Sequence, residues 1–432
     1  MPGTVPITIT FLFLLPSLAA AVTTAQEAAA TRDILDRIPV APLADRAVIL
    51  GGLVRLAFHD AGTYSRLDPV RSGRADGCVD LRNRDNAGLQ PIVDLLAPVV
   101  AQHGGDISRA DVWQLAANVA IRAASRDGGA IPLRYGRQDA PDATGACRTT
   151  DDGKLPSAEL SHQHTTAVFV DRMGFTQREV TALMGAHTLG RADAADSGYD
   201  GVWVRNSASW DNTYYRDILQ RPWVRETTAN GQHLWRDPGN PETLMLNTDM
   251  ALAFDIGDDT TVNVESCRTG GGGGQRGTRC TNTATNAANV RDFADNPTVW
   301  LSEFANAWIK LQELGYESGT LSLAEGPAVI VEFPVVDAAP NNRGPGARGG
   351  VGTVVASVAI VAGVVLAVLA MVVLVCCCWR KKRAMAEKTR PAKAKEVVVF
   401  APSAPKSVPE SVAPSSIVVV ASPVSGPGSL AV

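Results

Sequence analysis

An apolar run near the C-terminus constrains this chain more than any other feature. Residues 349–379 include no charged side chain, and about 20 apolar residues suffice to cross a bilayer core. The run ends at Arg-Lys-Lys-Arg, residues 380–383, a cluster that the positive-inside rule places in the cytoplasm. We expect a transmembrane helix over 351–379, with the body of the chain extracellular or lumenal. A buried core helix is the alternative.

A second apolar run, residues 7–22, ends in small residues typical of a secretory signal peptide cleaved near Ala21 or Ala25. No basic residue precedes it, so a retained anchor or an organelle-targeting segment is the alternative. We therefore divide the chain into a signal peptide (1–25), a body (26–336), a flexible stalk (337–350), the transmembrane helix (351–379) and a basic, disordered cytoplasmic tail (380–432).

The net charge changes sign at the boundary between the predicted transmembrane helix and the tail. The chain has 432 residues and a net charge of −4. The tail holds nine lysines and arginines and three glutamates, a net charge of +6, so the remainder carries −10. With 45% hydrophobic residues, these values exclude a wholly disordered chain, and we expect no nucleic-acid partner.

Four cysteines precede the C-terminal apolar run: Cys78, Cys147, Cys267 and Cys280. An even number outside the cytosol indicates two disulfides, for which three connectivities are open. Cys267 and Cys280 flank a glycine-rich segment, so a bond between them would close an otherwise flexible loop. We favour the pairs Cys267–Cys280 and Cys78–Cys147.

The body has a helical pattern. Apolar residues recur with the three- and four-residue spacing of a buried helix face within 53–59, 89–96, 110–125, 176–183 and 300–314. Strand-like alternation is scarce before short stretches such as Ala328 to Phe333, and Arg236 to Pro241 has the composition of a linker. The predicted fold is all-α, with long surface loops.

Two of the six histidines, His59 and His187, lie in apolar helical surroundings. Arg55 precedes His59 by four residues, so both side chains share one helix face. An arginine beside a neutral imidazole can bind and protonate a small oxygen ligand. Taken alone, however, such a histidine is more often a satisfied core residue.

Six ordered segments place these histidines in a wider pattern. The segments are Leu53–Thr63, Asn86–Gln90, Ile131–Asp139, Glu179–Arg191, Ser197–Trp203 and Met245–Leu252. Together they resemble the plant, fungal and bacterial haem peroxidase superfamily, in particular its intracellular-type class, as a hybrid of the cytochrome c peroxidase and ascorbate peroxidase types. The resemblance spans about 32–315. It implies a two-lobed, mostly helical fold with haem b between the lobes.

The resemblance implies that His187 is the axial ligand of the haem iron. Asp249 would bind the other ring nitrogen of His187 and give the ring anionic character. Trp203, close to His187, would hold a radical or relay an electron. Singly, Asp249 would be explained as a helix cap and Trp203 as a core aromatic residue.

On the other side of the haem, the resemblance implies that His59 takes a proton from hydrogen peroxide and returns it to the leaving oxygen. Arg55 would stabilise negative charge on that oxygen, and Asn86 would fix the tautomer of His59. Phe58 would form a wall of the haem pocket, where the intracellular class usually has tryptophan.

The resemblance also implies cation ligands. Thr188, Asn206 and Asp211 match the side-chain ligands of a proximal site for potassium or calcium, and Asp60 and Asp76 match two carboxylates of a distal calcium site. Ordinary turn and capping roles are the alternative explanation for these residues.

The electron donor is not assigned by these motifs. Asp196 stands where ascorbate peroxidases have an arginine, and its carboxylate would repel an anionic donor. Ascorbate is therefore expected to be a poor donor. A small phenol remains open, as does a basic, cytochrome-like protein attracted to the acidic body.

The expected function is that of a membrane-tethered haem peroxidase, which reduces hydrogen peroxide to water, oxidises a one-electron donor and responds to oxidative stress. The alternative is a catalytically silent cell-surface sensor or adhesion module on the same fold. Arg55, His59, His187 and Asp249 argue for the enzyme, because a scaffold needs none of them.

Overall fold

Helices are the main regular structure of the computed structural model, which describes residues 21–68, 72–126, 129–140, 153–257, 266–267, 280 and 283–334. All of these residues belong to one unit, Met1–Val336. In chain order the α-helices are α1 (Thr24–Leu35), α2 (Leu43–Ala61), α3 (Gln90–His103), α4 (Arg109–Ala124), α5 (His162–Thr165), α6 (Gln177–Met184), α7 (Ala194–Ser197), α8 (Thr213–Gln220), α9 (Asn247–Met250), α10 (Ala287–Asp295) and α11 (Pro297–Glu313). The predicted helical stretches fall on α2, α3, α4, α6 and α11, so the mostly helical fold is confirmed.

The longer helices pack as two groups. In the first, α1, α2 and α3 all pack against α4; in the second, α10 packs against α6, α8 and α11. Helix α4 is buried on nearly every side, and its fully buried Ala116, Ala117 and Ala120 allow its neighbours to approach closely. Helix α11 also contacts α2 and so joins the two groups. The two-lobed arrangement with haem between the lobes stays a prediction.

A small antiparallel sheet interrupts the helical pattern and was not predicted. The strands are β1 (Arg134–Tyr135), β2 (Trp223–Thr227), β3 (His233–Asp237), β4 (Asn240–Met245), β5 (Ser266–Cys267) and β6 (Ser322–Leu323). The strand order of the sheet is β4-β3-β2-β5, whereas the two-residue strands β1 and β6 pair with each other. Buried residues such as Trp223, Trp235 and Leu244 join its strands to the core.

Two turns explain the sheet. Asn230-Gly231 lies in the five-residue loop between β2 and β3, 228–232. Gly231 adopts φ +81° there, which glycine does without strain, and loops of this length that contain glycine commonly connect hairpin strands. Pro238-Gly239 connects β3 to β4. The predicted linker Arg236 to Pro241 is therefore part of a β-hairpin, and Ala328 to Phe333, expected to be strand-like, is not in a strand.

The N-terminal end of α1 is fixed to the body. The Thr24 amide donates to the Glu325 carbonyl at 2.9 Å, and Thr23 forms a capping box with Gln26. Val22 is buried. Cleavage near Ala25 would therefore remove folded residues. Positions 1–20 of the predicted signal peptide, the stalk, the transmembrane helix and the tail lie outside the described residues.

Cys267 and Cys280 form a disulfide with their Cα atoms 4.8 Å apart, as predicted. The bond ties β5 to the chain that leads into α10. Cys78 is also disulfide-bonded, and its predicted partner, Cys147, lies outside the described residues.

Candidate active site

Helix α2 carries the first part of the site, with Arg55 and His59 one turn apart. Nδ1 of His59 lies 2.7 Å from Oδ1 of Asn86. The amide nitrogen of Asn86 donates to the Asp80 carbonyl at 2.9 Å. Because the amide nitrogen is used in this way, the Asn86 oxygen faces His59, so Nδ1 of His59 carries the proton and Nε2 is left as a base.

His59 is kept neutral by its surroundings. Its residue exposure is 8%, and burial, followed by the charge of Arg55, lowers its pKa to about 3 against the opposing effect of the Asn86 hydrogen bond. A neutral imidazole with a free Nε2 can accept a proton from a small acid that reaches it.

Main-chain carbonyls hold Arg55. Its guanidinium donates to the carbonyl oxygens of Ala87 at 2.7 Å and Asp85 at 2.9 Å, in the same loop that carries Asn86. Burial lowers the pKa of Arg55, and the charges of Asp196 and Asp85 oppose that shift. The site thus places a cation close to a neutral base.

Phe58 adds an aromatic wall. Its ring packs edge-on to His59, with the centroids 5.8 Å apart, and stacks on Phe169 at 6.0 Å. Both contacts are apolar, so Phe58 contributes shape rather than a hydrogen bond.

The second part of the site follows α6. His187 lies in a 3-10 turn, Gly185–Thr188, that continues directly from that helix. The chain then turns at Gly190, where φ is +81°. At this point it meets α2, since a Cβ atom on Gly51 would lie only 2.6 Å from the Gly190 Cα. The segment that carries His187 therefore contacts the helix that carries Arg55 and His59.

Asp249, on α9, is fully buried and accepts four hydrogen bonds. Nδ1 of His187 and the Tyr214 hydroxyl each lie 2.7 Å from Oδ1, and Nε1 of Trp203 and the Leu246 amide each lie 2.8 Å from Oδ2. Burial opposes ionisation, but the His187 charge and the hydrogen bonds outweigh it and lower the pKa of Asp249. A buried carboxylate thus orients three side chains.

Trp203 lies directly against His187. The two rings stack with centroids 4.3 Å apart and an interplanar angle of 24°. Since Asp249 binds both rings, their relative orientation is fixed. A tryptophan beside an ionised, buried carboxylate is favourably placed to carry positive charge.

The residues present fit a haem group. The His187 side chain is 31% exposed although the carboxylate that binds it is 0% exposed, so the ring is accessible to a ligand. A histidine whose one ring nitrogen binds a carboxylate is the usual form of an iron-ligating histidine, with the other nitrogen, here Nε2, bound to the metal.

One predicted distal calcium ligand, Asp60, holds a turn of the chain that includes the other, Asp76. The carboxylate of Asp60 accepts hydrogen bonds from the amides of Asp76, Gly77 and Cys78 at 3.1–3.2 Å. Burial, followed by the charge of Asp76, raises the pKa of Asp60 to about 8. Within the described residues, no group of three or more His, Cys, Asp and Glu is placed to hold a metal ion. The distal site stays a prediction.

The predicted proximal cation ligands lie in two segments that hydrogen bonds join, the turn that ends at Thr188 and the loop that contains Asn206 and Asp211. Thr188 donates to the Ser209 carbonyl at 3.4 Å, and the Ser209 amide donates to the Asn206 carbonyl at 3.2 Å. Asp211 accepts from the Thr213 amide at 2.9 Å. These contacts join Thr188 and Asn206 to the same residue, Ser209, and the site also stays a prediction.

Sequence reasoning missed Tyr214. Its hydroxyl is a further side-chain donor to Asp249, from α8, whose helical spacing gives no sign of that contact. The two residues are 35 positions apart, so a signal for the pair was not present in local sequence.

Comparison with known proteins identifies the family. The family model described as peroxidase matches residues 39–267, which is more than half of the chain. The chain belongs to the peroxidase family. A putative heme-binding peroxidase of Pyricularia oryzae is 35% identical over 288 residues, which cover 65% of this chain and 83% of that protein.

Two further relatives are named mitochondrial cytochrome c peroxidase, from Aspergillus fumigatus and Emericella nidulans. Each is 33% identical over 268 residues, covering 61% of this peroxidase and 63% of its own length. The chain therefore spans less than two thirds of those two proteins. The predicted family, the class of peroxide-dependent haem enzyme and the haem cofactor are confirmed by these matches.

The predicted localisation is corrected. Relatives of this peroxidase are named as mitochondrial proteins, which contradicts a single-pass membrane protein with an extracellular or lumenal peroxidase domain. Among the residues that the structure describes, no helix combines the length and apolar character needed to cross a bilayer. The expectation rested on the apolar run 349–379. It failed because hydropathy alone does not distinguish one cellular compartment from another.

Proposed function

We propose that this peroxidase reduces hydrogen peroxide to water, oxidises a one-electron donor twice per cycle and acts in the response to oxidative stress. The observation that carries the proposal is the 2.7 Å contact between His187 and the buried Asp249. Such a pair makes the imidazole electron-rich, which stabilises iron in high oxidation states.

In this proposal, Nε2 of His187 would hold the iron of haem b, and Phe58 would form a wall of the haem pocket. The haem supplies the redox chemistry by which the O–O bond of peroxide is cleaved. Trp203 is placed to give up an electron, since it stacks on His187 and its indole N–H is bound to an ionised carboxylate.

The distal residues handle the proton. Nε2 of His59 removes a proton from one oxygen of hydrogen peroxide and returns it to the other oxygen, which leaves as water. Arg55 exchanges a main-chain carbonyl for that leaving oxygen and stabilises its developing negative charge. Asn86 keeps Nδ1 of His59 protonated, so Nε2 remains the accepting atom.

We further propose a basic redox protein similar to cytochrome c as the electron donor. Two relatives are named for that donor. The carboxylate of Asp196, whose charge acts on Arg55, disfavours an anionic donor such as ascorbate. The silent-sensor alternative is not favoured, because the relatives are named as peroxidases.

Replacement of the ligand tests the function. We expect His187→Ala to lose the Soret band of bound haem and to stop consuming peroxide. The matched control is His103→Ala, in which the lost side chain binds Asp33 at 2.6 Å and is not part of the site. If His187→Ala kept the same Soret spectrum and the same peroxide consumption, the proposed function would be wrong.

A further inference from the structure

We propose that Tyr214 is a second oxidisable side chain at Asp249, able to hold one oxidising equivalent in place of Trp203. The inference rests on the proposed peroxidase function. Tyr214 is fully buried, and its ring meets that of His187 edge-on, with the centroids 6.0 Å apart and an interplanar angle of 82°. Its hydroxyl lies 2.7 Å from Oδ1 of Asp249.

The hydrogen bond to Asp249 supplies the proton acceptor that one-electron oxidation of a phenol needs. A tyrosine gives up an electron at moderate potential only when its hydroxyl proton leaves at the same time. Once the haem site has reacted with hydrogen peroxide, the Tyr214 ring gives one electron to that site. The hydroxyl proton of Tyr214 moves at the same time along the existing hydrogen bond to Oδ1 of Asp249. The products are a neutral phenoxyl radical and a protonated carboxyl group. One electron from the donor then restores the phenol, and the proton returns along the same hydrogen bond.

Tyr215 shows why the partner matters. It is as deeply buried as Tyr214, and their rings lie 5.1 Å apart. Its hydroxyl, however, donates to the main-chain carbonyls of Thr181 at 2.7 Å and Ala182 at 3.1 Å. An amide carbonyl accepts a hydrogen bond but does not take up a proton near neutral pH. Tyr215 therefore lacks a proton acceptor at its hydroxyl and is a matched control.

Tyr214 and Trp203 compete through the shared carboxylate. Trp203 binds Oδ2 of Asp249, and a positive charge on its ring is stabilised while that carboxylate stays ionised. Oxidation of Tyr214 protonates the carboxyl and removes that stabilisation. One oxidising equivalent therefore resides on one ring or the other, and loss of Trp203 shifts it to Tyr214.

Radical trapping tests the inference. The haem-loaded full chain is mixed with one equivalent of hydrogen peroxide, frozen within milliseconds and examined by electron paramagnetic resonance, with ring-deuterated tyrosine as a label. In Trp203→Phe we expect a tyrosyl signal that narrows with the label. That signal should vanish in Trp203→Phe/Tyr214→Phe and persist in Trp203→Phe/Tyr215→Phe.

The single variants Tyr214→Phe and Tyr215→Phe, with Trp203 intact, repeat the comparison should a double variant fail to fold. In these variants, the tyrosyl part of the electron paramagnetic resonance signal should be lost in Tyr214→Phe and kept in Tyr215→Phe. A tyrosyl signal that survives without Tyr214, or the absence of one in Trp203→Phe, would overturn the inference. A chain that binds no haem or consumes no peroxide would instead contradict the proposed function, so the two failures are distinguishable.

Discussion

At the scale of single residues, the two site histidines differ in the group that binds Nδ1. His59 is bound by the neutral amide of Asn86, and His187 by the ionised carboxylate of Asp249. An amide fixes a tautomer without adding charge, so His59 stays a weak base that both accepts and releases a proton. A carboxylate adds negative character, which suits an iron ligand. The same side chain thus serves two roles through one hydrogen-bond partner each.

The low pKa of His59 predicts a pH profile. With the folded-state value near 3, His59 stays neutral, and the rate constant for reaction with peroxide should stay constant as the pH falls through 6.5. It should decline only as the pH approaches 3, when the protonated ring no longer accepts the peroxide proton. Stopped-flow measurement of the Soret change checks this, and an inflection near pH 6.5 would contradict it.

The same pKa shift affects stability. Between pH 6.5 and about 3 the unfolded chain binds one proton at His59 that the folded chain does not. This group therefore lowers the free energy of unfolding progressively as the pH falls through that interval. The contribution to stability is complete above pH 6.5, since the pKa is lowered on folding.

At the scale of elements, the site depends on how closely α2 approaches the chain after His187. The contact is made by Gly51 and Gly190, and neither has a side chain to separate the backbones. Because Arg55 follows Gly51 by one helical turn, this contact sets how far the distal side chains lie from the proximal segment. The distance between the two backbones is limited by the size of the residues at the point of contact.

A methyl group at the crossing should disturb it. A Cβ atom at position 51 would lie 2.6 Å from the Gly190 Cα, so we expect Gly51→Ala to lower the free energy of unfolding by about 1–3 kcal/mol. The control is Gly105→Ala, where nothing lies within 4 Å of the added atom. Urea unfolding of both variants decides the matter; equal stability would show that the crossing tolerates a methyl group.

At the scale of the whole molecule, the net charge of the protein affects which electron donor it attracts. The chain before residue 380 carries −10, which attracts a basic protein over distances set by the Debye length. That length falls from about 30 Å at 0.01 M salt to about 8 Å at 0.15 M. Long-range attraction should therefore weaken strongly across this interval.

Salt dependence distinguishes the donor classes. We expect the rate at which the peroxide-treated enzyme oxidises cytochrome c to fall steeply as ionic strength rises, because the attraction is screened. Oxidation of guaiacol, an uncharged phenol, should remain constant and serves as the internal control. Stopped-flow absorbance measures both, and a cytochrome c rate that does not change with salt would contradict electrostatic recognition of a basic donor.

Much of the site could be predicted from local sequence. The pairing of Arg55 with His59 follows from helical spacing, and the ordered motifs pointed to His187, Asp249 and Trp203, which the fold brings together. The β2–β3 hairpin was not predicted, although Asn230-Gly231 is a dipeptide common in turns. The predicted localisation failed because an apolar run does not identify a compartment.

By itself, the sequence determined which segments become helices and which residue types they carry, since periodicity and turn chemistry act within a few positions. Only the tertiary structure decided what meets at Asp249. His187 is 62 positions from it, Trp203 46 and Tyr214 35, and these three side chains compete for two oxygen atoms. Such contacts arise only when packing closes the intervening chain, because a hydrogen bond depends on distance in space and not on order along the chain.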